Sequence, residues 1–145
     1  MKLILCVIVL LVAHASHDAA SPRDEPRWNE VASNDGSWLV RWRLLVEGKP
    51  AELPLARKRF TIELQIESTG DPQETPTAVL VDAQMPEHLH GMNVAPIIAL
   101  TTGAVGSALA TAEGMLFHMS GRWEVDVDID DGTTVERAQW NITLP

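Results

Sequence analysis

The chain is almost without cysteine, since Cys6 is the only one among 145 residues, and it has no tyrosine. A single cysteine excludes an internal disulfide and excludes zinc or iron–sulfur sites built from several thiolates. Basic residues are also scarce, with 11 Lys and Arg against 20 Asp and Glu and a formal net charge of −9. This balance argues against nucleic-acid binding, which requires a basic face. The chemistry of this chain must therefore come from histidine, methionine, carboxylates or shape.

Long hydrophobic runs are lacking too, and the most continuous one stands at the N-terminus. Lys2 precedes the apolar run Leu3–Ala13, and Ala13-His14-Ala15 has the small-residue pattern of a signal-peptidase site. Such a run is too short to cross about 30 Å of hydrocarbon as a helix, so a retained anchor is the weaker alternative. We therefore predict a signal peptide over residues 1–15, with cleavage after Ala20 as a less favourable alternative. The secreted chain would lack any thiol, would be periplasmic or otherwise extracytoplasmic, and would have no stable membrane span.

Beyond the signal peptide the pattern is that of a β-rich domain. Residues 16–36 are polar and predict a flexible lead-in, and residues 37–145 predict a single domain. Apolar and polar residues alternate along 59–67 and 123–129, as in strands with one buried and one solvated face. We predict an all-β fold, an immunoglobulin-like β-sandwich of about seven strands. The predicted strands cover 37–47, 59–67, 78–84, 92–101, 108–119 (with a break or bulge at Gly114), 123–129 and 133–144.

Two short motifs concentrate histidine and methionine. The segment 85–92 (MPEHLHGM) lies between two predicted strands, and His118-Met119 ends a later strand. If the first segment is extended, His88, His90 and Met92 project from one face. Strand ends gather at the poles of a sandwich, which would bring His118 near them. Imidazole and thioether ligands together favour copper, whereas zinc sites use Cys, His and carboxylate. The candidate metal ligands are His88, His90, Met92, Met85, His118 and Met119.

Other chemistry finds little support in the sequence. Asp126–Gly132 resembles the start of a calcium loop, but Asp131 stands where glycine is required and Arg137 where glutamate is required. The Val and Ile alternation there predicts instead a strand with a solvated acidic face. Serine occurs in no nucleophile-elbow context, so we predict no enzymatic activity and no catalytic residue.

The two motifs, MPEHLHGM at 85–92 and LFHMSGRWE at 116–124, resemble those of the YtkA-like family, which is grouped with the FixH-type proteins. The resemblance covers about residues 39–144. It departs from the family pattern at Leu89, where glycine is common, and at Ser120, where proline is common. It implies an immunoglobulin-like extracytoplasmic domain tied to copper handling or respiratory-oxidase maturation. By position it implies the same six candidate ligands, with Trp123 as a core residue.

These observations lead to two functional expectations. The first is a secreted or periplasmic binding module that binds or handles copper, as Cu(I) or Cu(II), through a His/Met cluster. The second is a structural or protein-interaction domain of a cell-envelope complex that binds no metal. A cell-envelope protein partner is compatible with both, and the histidines and methionines would merely pack the sandwich pole in the second.

Overall fold

The computed structural model describes residues 28–70 and 72–145. The predicted signal peptide and much of the predicted lead-in lie outside these residues. The described part contains ten β-strands in two antiparallel sheets. In chain order they are β1 (Asn29–Ala32), β2 (Trp38–Val46), β3 (Lys49–Ala51), β4 (Arg59–Ser68), β5 (Ala78–Met85), β6 (His90–Gly91), β7 (Ile97–Thr102), β8 (Ser107–Leu116), β9 (Gly121–Asp130) and β10 (Val135–Leu144).

The two sheets form the layers of a β-sandwich, so the predicted all-β fold class is confirmed. The first sheet has the order β1-β2-β4-β8-β7, with β3 paired to β2, and the second has the order β10-β9-β5-β6. The seven predicted runs correspond to the seven longest strands. The three further strands, β1, β3 and β6, have four residues or fewer.

Alternation puts one face of the long strands into the core. In β4 the buried residues are separated by half-exposed polar ones, and β5 and β10 alternate buried and exposed positions. β9 alternates in the same way except at Asp126, which is buried. Apolar side chains from both sheets thereby meet in one layer, which is the main source of stability for such a fold. The largest fully buried side chains are Trp38, Trp123, Phe117, Leu44, Ile62, Leu64, Ile66, Met85 and Met115.

Gly114 provides the bulge that the sequence predicts in β8. Phe60 pairs with Met115 and Thr61 pairs with Glu113, so Gly114 is an extra residue in its strand. Its φ of 84° lies in the left-handed region, which glycine adopts without the steric cost of a Cβ. The bulge allows Met115 and Ala112 both to face the core.

Three predicted boundaries are wrong. The strand expected over 108–119 ends at Leu116 as β8, so His118 and Met119 lie beyond it. The strand expected over 92–101 is observed only as β7, because Pro96 has no N–H to donate and the preceding residues are irregular. Within the lead-in that was expected to be flexible, Asn29–Ala32 forms β1, paired antiparallel with β2. This edge strand has almost no apolar alternation, which is why the sequence does not reveal it.

The acidic outer face of β9 is less solvated than the alternation predicts. Asp126 is only 8% exposed, because Arg137 and Gln139 of β10 lie over it. Arg137 Nη1 donates to Asp126 Oδ2 at 3.2 Å, and Gln139 Nε2 donates to Oδ1 at 2.8 Å. Arg137 also donates to both carboxylate oxygens of Asp128, at 2.6 and 2.8 Å. This face is therefore a paired network, and the expectation of a simple solvated acidic face is wrong.

No helix long and apolar enough to cross a membrane occurs in 28–70 or 72–145.

A buried carboxylate joins the N-terminal part of the domain to the second sheet. Glu136 Oε2 accepts hydrogen bonds from Ser33 Oγ at 2.6 Å and from the Ser37 N–H at 3.2 Å. Burial by itself would raise the pKa of Glu136, but these hydrogen bonds outweigh it and hold the pKa below its ordinary value. The ionised form of Glu136 therefore stabilises the folded state.

Replacing Glu136 with glutamine is expected to lower the free energy of unfolding at pH 7 by roughly 1.5–3 kcal/mol, the usual range for hydrogen bonds to a charged group. Because the folded-state pKa is lowered, the contribution is complete above the unfolded-state pKa and is lost as the pH falls through the folded-state value. Urea denaturation of both proteins between pH 7 and pH 3 should show that the difference between their free energies of unfolding becomes smaller as the pH falls. A difference that stays constant over this pH range would contradict a lowered pKa of Glu136.

Candidate metal-binding site

A tight loop between β5 and β6 carries two of the predicted ligands. The strands pair through Met85 and His90, and the His88 N–H donates to the Met85 carbonyl at 3.0 Å. Pro86 follows directly after β5, where its fixed φ suits the second position of a turn. The expectation of an extended segment with His88, His90 and Met92 on one face is therefore wrong. The two histidines approach each other through the turn.

Three imidazoles lie together at this pole of the sandwich. The ring centroids of His88 and His90 are 5.9 Å apart, and those of His90 and His118 are 5.3 Å apart. His118 follows β8 of the other sheet, so the cluster joins the two layers. We refer to His88, His90 and His118 as the histidine cluster. The expected proximity of His118 to the first motif is observed, and His90 is the central member.

Two stacked aromatic residues, Phe117 and Trp123, form a platform that fixes the position of His118. Trp123 is fully buried and stacks on Phe117, with centroids 4.6 Å apart and planes 4° apart. The His118 ring meets Trp123 edge-on at 5.2 Å and 78°. The Trp123 Nε1–H donates to the Met119 carbonyl at 3.1 Å, which ties the chain on the far side of His118 to the platform. The expectation that Trp123 is a core residue is confirmed, and its contact with His118 adds a positioning role.

His118 also carries a buried polar atom that lacks a partner. Its Nδ1 is shielded from solvent and makes no hydrogen bond to any described residue. A buried, unpaired imidazole nitrogen costs free energy, and such an atom in a folded protein calls for an explanation. On the backbone side, the His118 carbonyl accepts a hydrogen bond from Arg57 Nε at 3.4 Å. No pattern in the sequence indicates this arginine, because the contact joins a loop to a distant strand end.

The predicted methionines are distributed unequally around the cluster. Met85 is 1% exposed and belongs to the core, where its Cε lies 2.7 Å from the position that a Cβ on Gly121 would occupy. Met92 packs against the core from the side and lines a groove along β5. Met119 is 37% exposed. Of the three thioethers, Met119 is the one placed both beside His118 in the chain and at the surface.

Leu89 separates the two histidines of the loop, and its backbone has a conformation that leucine disfavours. Its φ of 52° lies in the left-handed region, and its side chain is 92% exposed. A non-glycine residue costs about 1–2 kcal/mol in that conformation. Glycine, which has no Cβ, would avoid the cost. The loop is therefore held by its surroundings, and the leucine side chain contributes little packing.

The nitrogen atoms of the cluster do not surround a common point. Among residues 28–70 and 72–145, no group of three or more His, Cys, Asp or Glu side chains is placed to hold a metal ion. The rings are neighbours, but His88 and His90 are exposed and their side chains can adopt other rotamers. A charged pair lies beside them, since Arg122 Nε donates to Glu87 Oε1 at 3.3 Å.

Comparisons with known proteins supply no family for this chain. No protein-family model matches it, and no curated protein or solved structure does so either.

Proposed function

We propose that the protein is an extracytoplasmic copper-binding module of the immunoglobulin-like type, similar to the YtkA-like family, and that it carries or buffers the ion without catalysis. The observation that supports this most is the histidine cluster, in which three imidazoles from both sheets lie at one pole. The chain contains no thiol in its predicted secreted form, so imidazole and thioether are the side-chain ligands suited to copper that remain.

The ring spacing agrees with shared coordination. At a metal–nitrogen distance of about 2.0–2.1 Å, an imidazole centroid lies about 3.2 Å from the ion. Two rings bound at angles between 90° and 180° then have centroids about 4.5–6.4 Å apart. The observed separations of 5.9 and 5.3 Å fall in this interval. Each neighbouring pair of rings is therefore spaced as two ligands of one ion would be, and rotation of the rings would be needed to direct their nitrogens to it.

Each side chain would have a different part in holding the ion. His118 is fixed by Trp123 and offers a buried nitrogen without a partner, so it would act as the preorganised ligand. His88 and His90 are exposed and would close on the ion by rotation. Met119 could add a thioether from the surface, whereas Met85 would have to leave the core and Met92 its partly buried position against it. Bound copper would supply a transferable, redox-active cation.

A titration of the full chain tests the proposal. Competition with a chelator under anaerobic conditions measures Cu(I) affinity, and calorimetry measures Cu(II) affinity. We expect one site with a dissociation constant below about 1 μM for at least one oxidation state. Joint replacement of His88 and His90 with alanine should abolish it, and Leu89→Ala, in the same loop, should leave it intact. Binding weaker than micromolar in the unchanged protein would overturn the proposal.

The alternative role, a structural or interaction domain without metal, is favoured by the packing of His118 against Trp123. In that case replacing His88 and His90 with alanine would change the free energy of unfolding by the same amount with and without copper, because no bound ion would stabilise the unchanged protein. Thermal melting in chelator and in copper separates the two roles. If the variant and the unchanged protein melt at the same temperature in chelator and differ only when copper is added, the alternative is excluded.

A further inference from the structure

A run of three cations lies beside the histidine cluster. Arg57, Lys58 and Arg59 lead into β4, and all three are exposed. The Arg57 N–H donates to the Phe117 carbonyl at 2.7 Å, and its Nε donates to the His118 carbonyl at 3.4 Å. Among the residues that the structure describes, none of the three cations forms an ion pair, whereas the arginines of β2 and β10 do. We refer to residues 57–59 as the basic segment.

The opposite pole of the sandwich is acidic. Its loops join β1 to β2, β4 to β5, β7 to β8 and β9 to β10. The described residues of these loops include Asp35, Glu74 and Asp131 but no lysine or arginine. The two ends of the sandwich therefore differ in the charge that they present.

The carboxylates at the pole of the histidine cluster do not neutralise the basic segment. Glu87 is paired with Arg122 at 3.3 Å. Glu47 and Glu52 flank β3, which lies on the far side of β2 from β4. In a chain with a net charge of −9, the basic segment is therefore a local exception.

An exposed apolar side chain stands between two members of the cluster. Leu89 separates His88 from His90, has a φ of 52° and is 92% exposed. Burial within the folded chain does not offset the cost of this conformation, and strain of this kind is concentrated at sites of recognition. Protein–protein contacts typically combine an apolar centre with a polar rim. Leu89 and the basic segment have the properties of such a centre and such a rim.

We propose that the pole of the histidine cluster is the docking surface for a second protein with a carboxylate-rich face, which exchanges copper with the cluster. The exchange rests on the proposed function, whereas the contact itself depends only on charge and apolar surface. Opposite charges accelerate encounter and orient the partner. Because the rest of the chain is acidic, it would repel such a partner and direct it to the basic segment.

Charge and metal chemistry favour an acidic protein over an anionic membrane as the partner. Copper held by imidazoles leaves most readily for other imidazole, thioether or thiolate ligands. A partner protein can supply these ligands, and lipid headgroups do not. A membrane surface is also extended, so it would oppose the acidic remainder of the chain as well as attract the basic segment. A protein can place its carboxylates against the basic segment alone.

An NMR titration of the full chain in the presence of a chelator tests the contact without copper. The probe is an oligoglutamate peptide with one central leucine. We expect it to shift the amide signals of residues 57–59 and of the loops that carry the histidine cluster. Raising NaCl from about 20 to about 300 mM should weaken binding at least about tenfold, because salt screens exposed charges. An oligolysine peptide should instead shift signals at the opposite pole, near Asp35, Glu74 and Asp131.

Two double variants with the same change of net charge locate the contact. Lys58→Gln with Arg59→Gln removes two positive charges from the basic segment and should weaken binding of the oligoglutamate peptide about fivefold. Thr133→Glu with Val135→Glu adds two negative charges at exposed positions of the opposite pole and should weaken it less than about twofold. Leu89→Ala should weaken binding about threefold and leave binding of an all-glutamate peptide unchanged. Circular dichroism checks that each variant is folded.

Three results would overturn the proposal. They are equal weakening by the two double variants, peptide-induced shifts outside the pole of the cluster, and retention on vesicles of phosphatidylglycerol and phosphatidylcholine without any shift by the peptide. Because the peptide titration is carried out in chelator, its failure would leave copper binding to be judged by the copper titration alone. Peptide binding by a chain that does not bind copper would support the contact and overturn its role in copper exchange.

Discussion

Replacement of Trp123 with alanine is expected to lower the free energy of unfolding by about 3–5 kcal/mol, the range observed when buried large aromatic residues are truncated. Trp123 is fully buried, stacks on Phe117 and contacts the His118 ring. The change removes these contacts and the hydrogen bond to the Met119 carbonyl. Because domains of this size are typically stable by about 5–15 kcal/mol, the loss would bring the variant close to unfolding. Urea denaturation measures it.

Trp42 and a conservative change at Trp123 provide the controls. Trp42 is half-buried and stacks on Trp140 with centroids 4.6 Å apart, so Trp42→Ala should be less destabilising and should not affect the histidine cluster. Trp123→Phe retains an aromatic ring and loses the indole hydrogen bond, for an expected decrease of about 1 kcal/mol. If Trp123→Ala proved no more destabilising than Trp42→Ala, Trp123 could not be the residue whose packing stabilises this end of the sandwich.

Replacement of His90 with alanine is expected to weaken copper binding by at least about 100-fold, or roughly 2.8 kcal/mol at 1.4 kcal/mol per factor of ten. His90 lies between the other two rings, 5.9 Å from His88 and 5.3 Å from His118. Without it, both close ring contacts of the cluster are lost. Chelator competition on the single variants His88→Ala, His90→Ala and His118→Ala measures the effect, and His90→Ala should show the largest decrease.

The free energy of unfolding, measured in chelator, distinguishes the loss of a ligand from misfolding in these variants. His90 is exposed, so its replacement should leave the free energy of unfolding in chelator within about 0.5 kcal/mol of the unchanged protein. His118 packs on Trp123, and its replacement should affect stability as well as affinity. A His90→Ala protein that binds copper as tightly as the unchanged one would remove His90 from the site.

Period-two alternation was sufficient to predict most of the fold. In β4 and β9 each apolar residue lies one position away from a polar one, and the hydrophobic effect selects the face that is buried. The same logic fails for β1, whose short polar sequence NEVA is placed by hydrogen bonds to β2 and by the anchoring of Ser33 to Glu136. Contacts over long sequence distances of this kind leave no local pattern.

The sequence predicted which histidines lie close together but not the geometry in which they meet. The motifs located the three histidines, and the topology of a sandwich brought His118 to them. The burial of Met85 could have been inferred, because Val79, Val81 and Ala83 precede it on the inward parity of β5. The turn at His88 could not, since it depends on the left-handed conformation of Leu89, which sequence preferences disfavour for leucine.

Pulsed electron paramagnetic resonance on the full chain loaded with one equivalent of Cu(II) tests the histidine cluster most directly, because it counts the imidazoles bound to the ion. We predict that the unchanged protein shows coordination by more than one imidazole and that His90→Ala lowers the number. Leu89→Ala should give the spectrum of the unchanged protein. An imidazole count that stays the same when His88, His90 and His118 are all replaced would contradict the assignment of the cluster as a metal site.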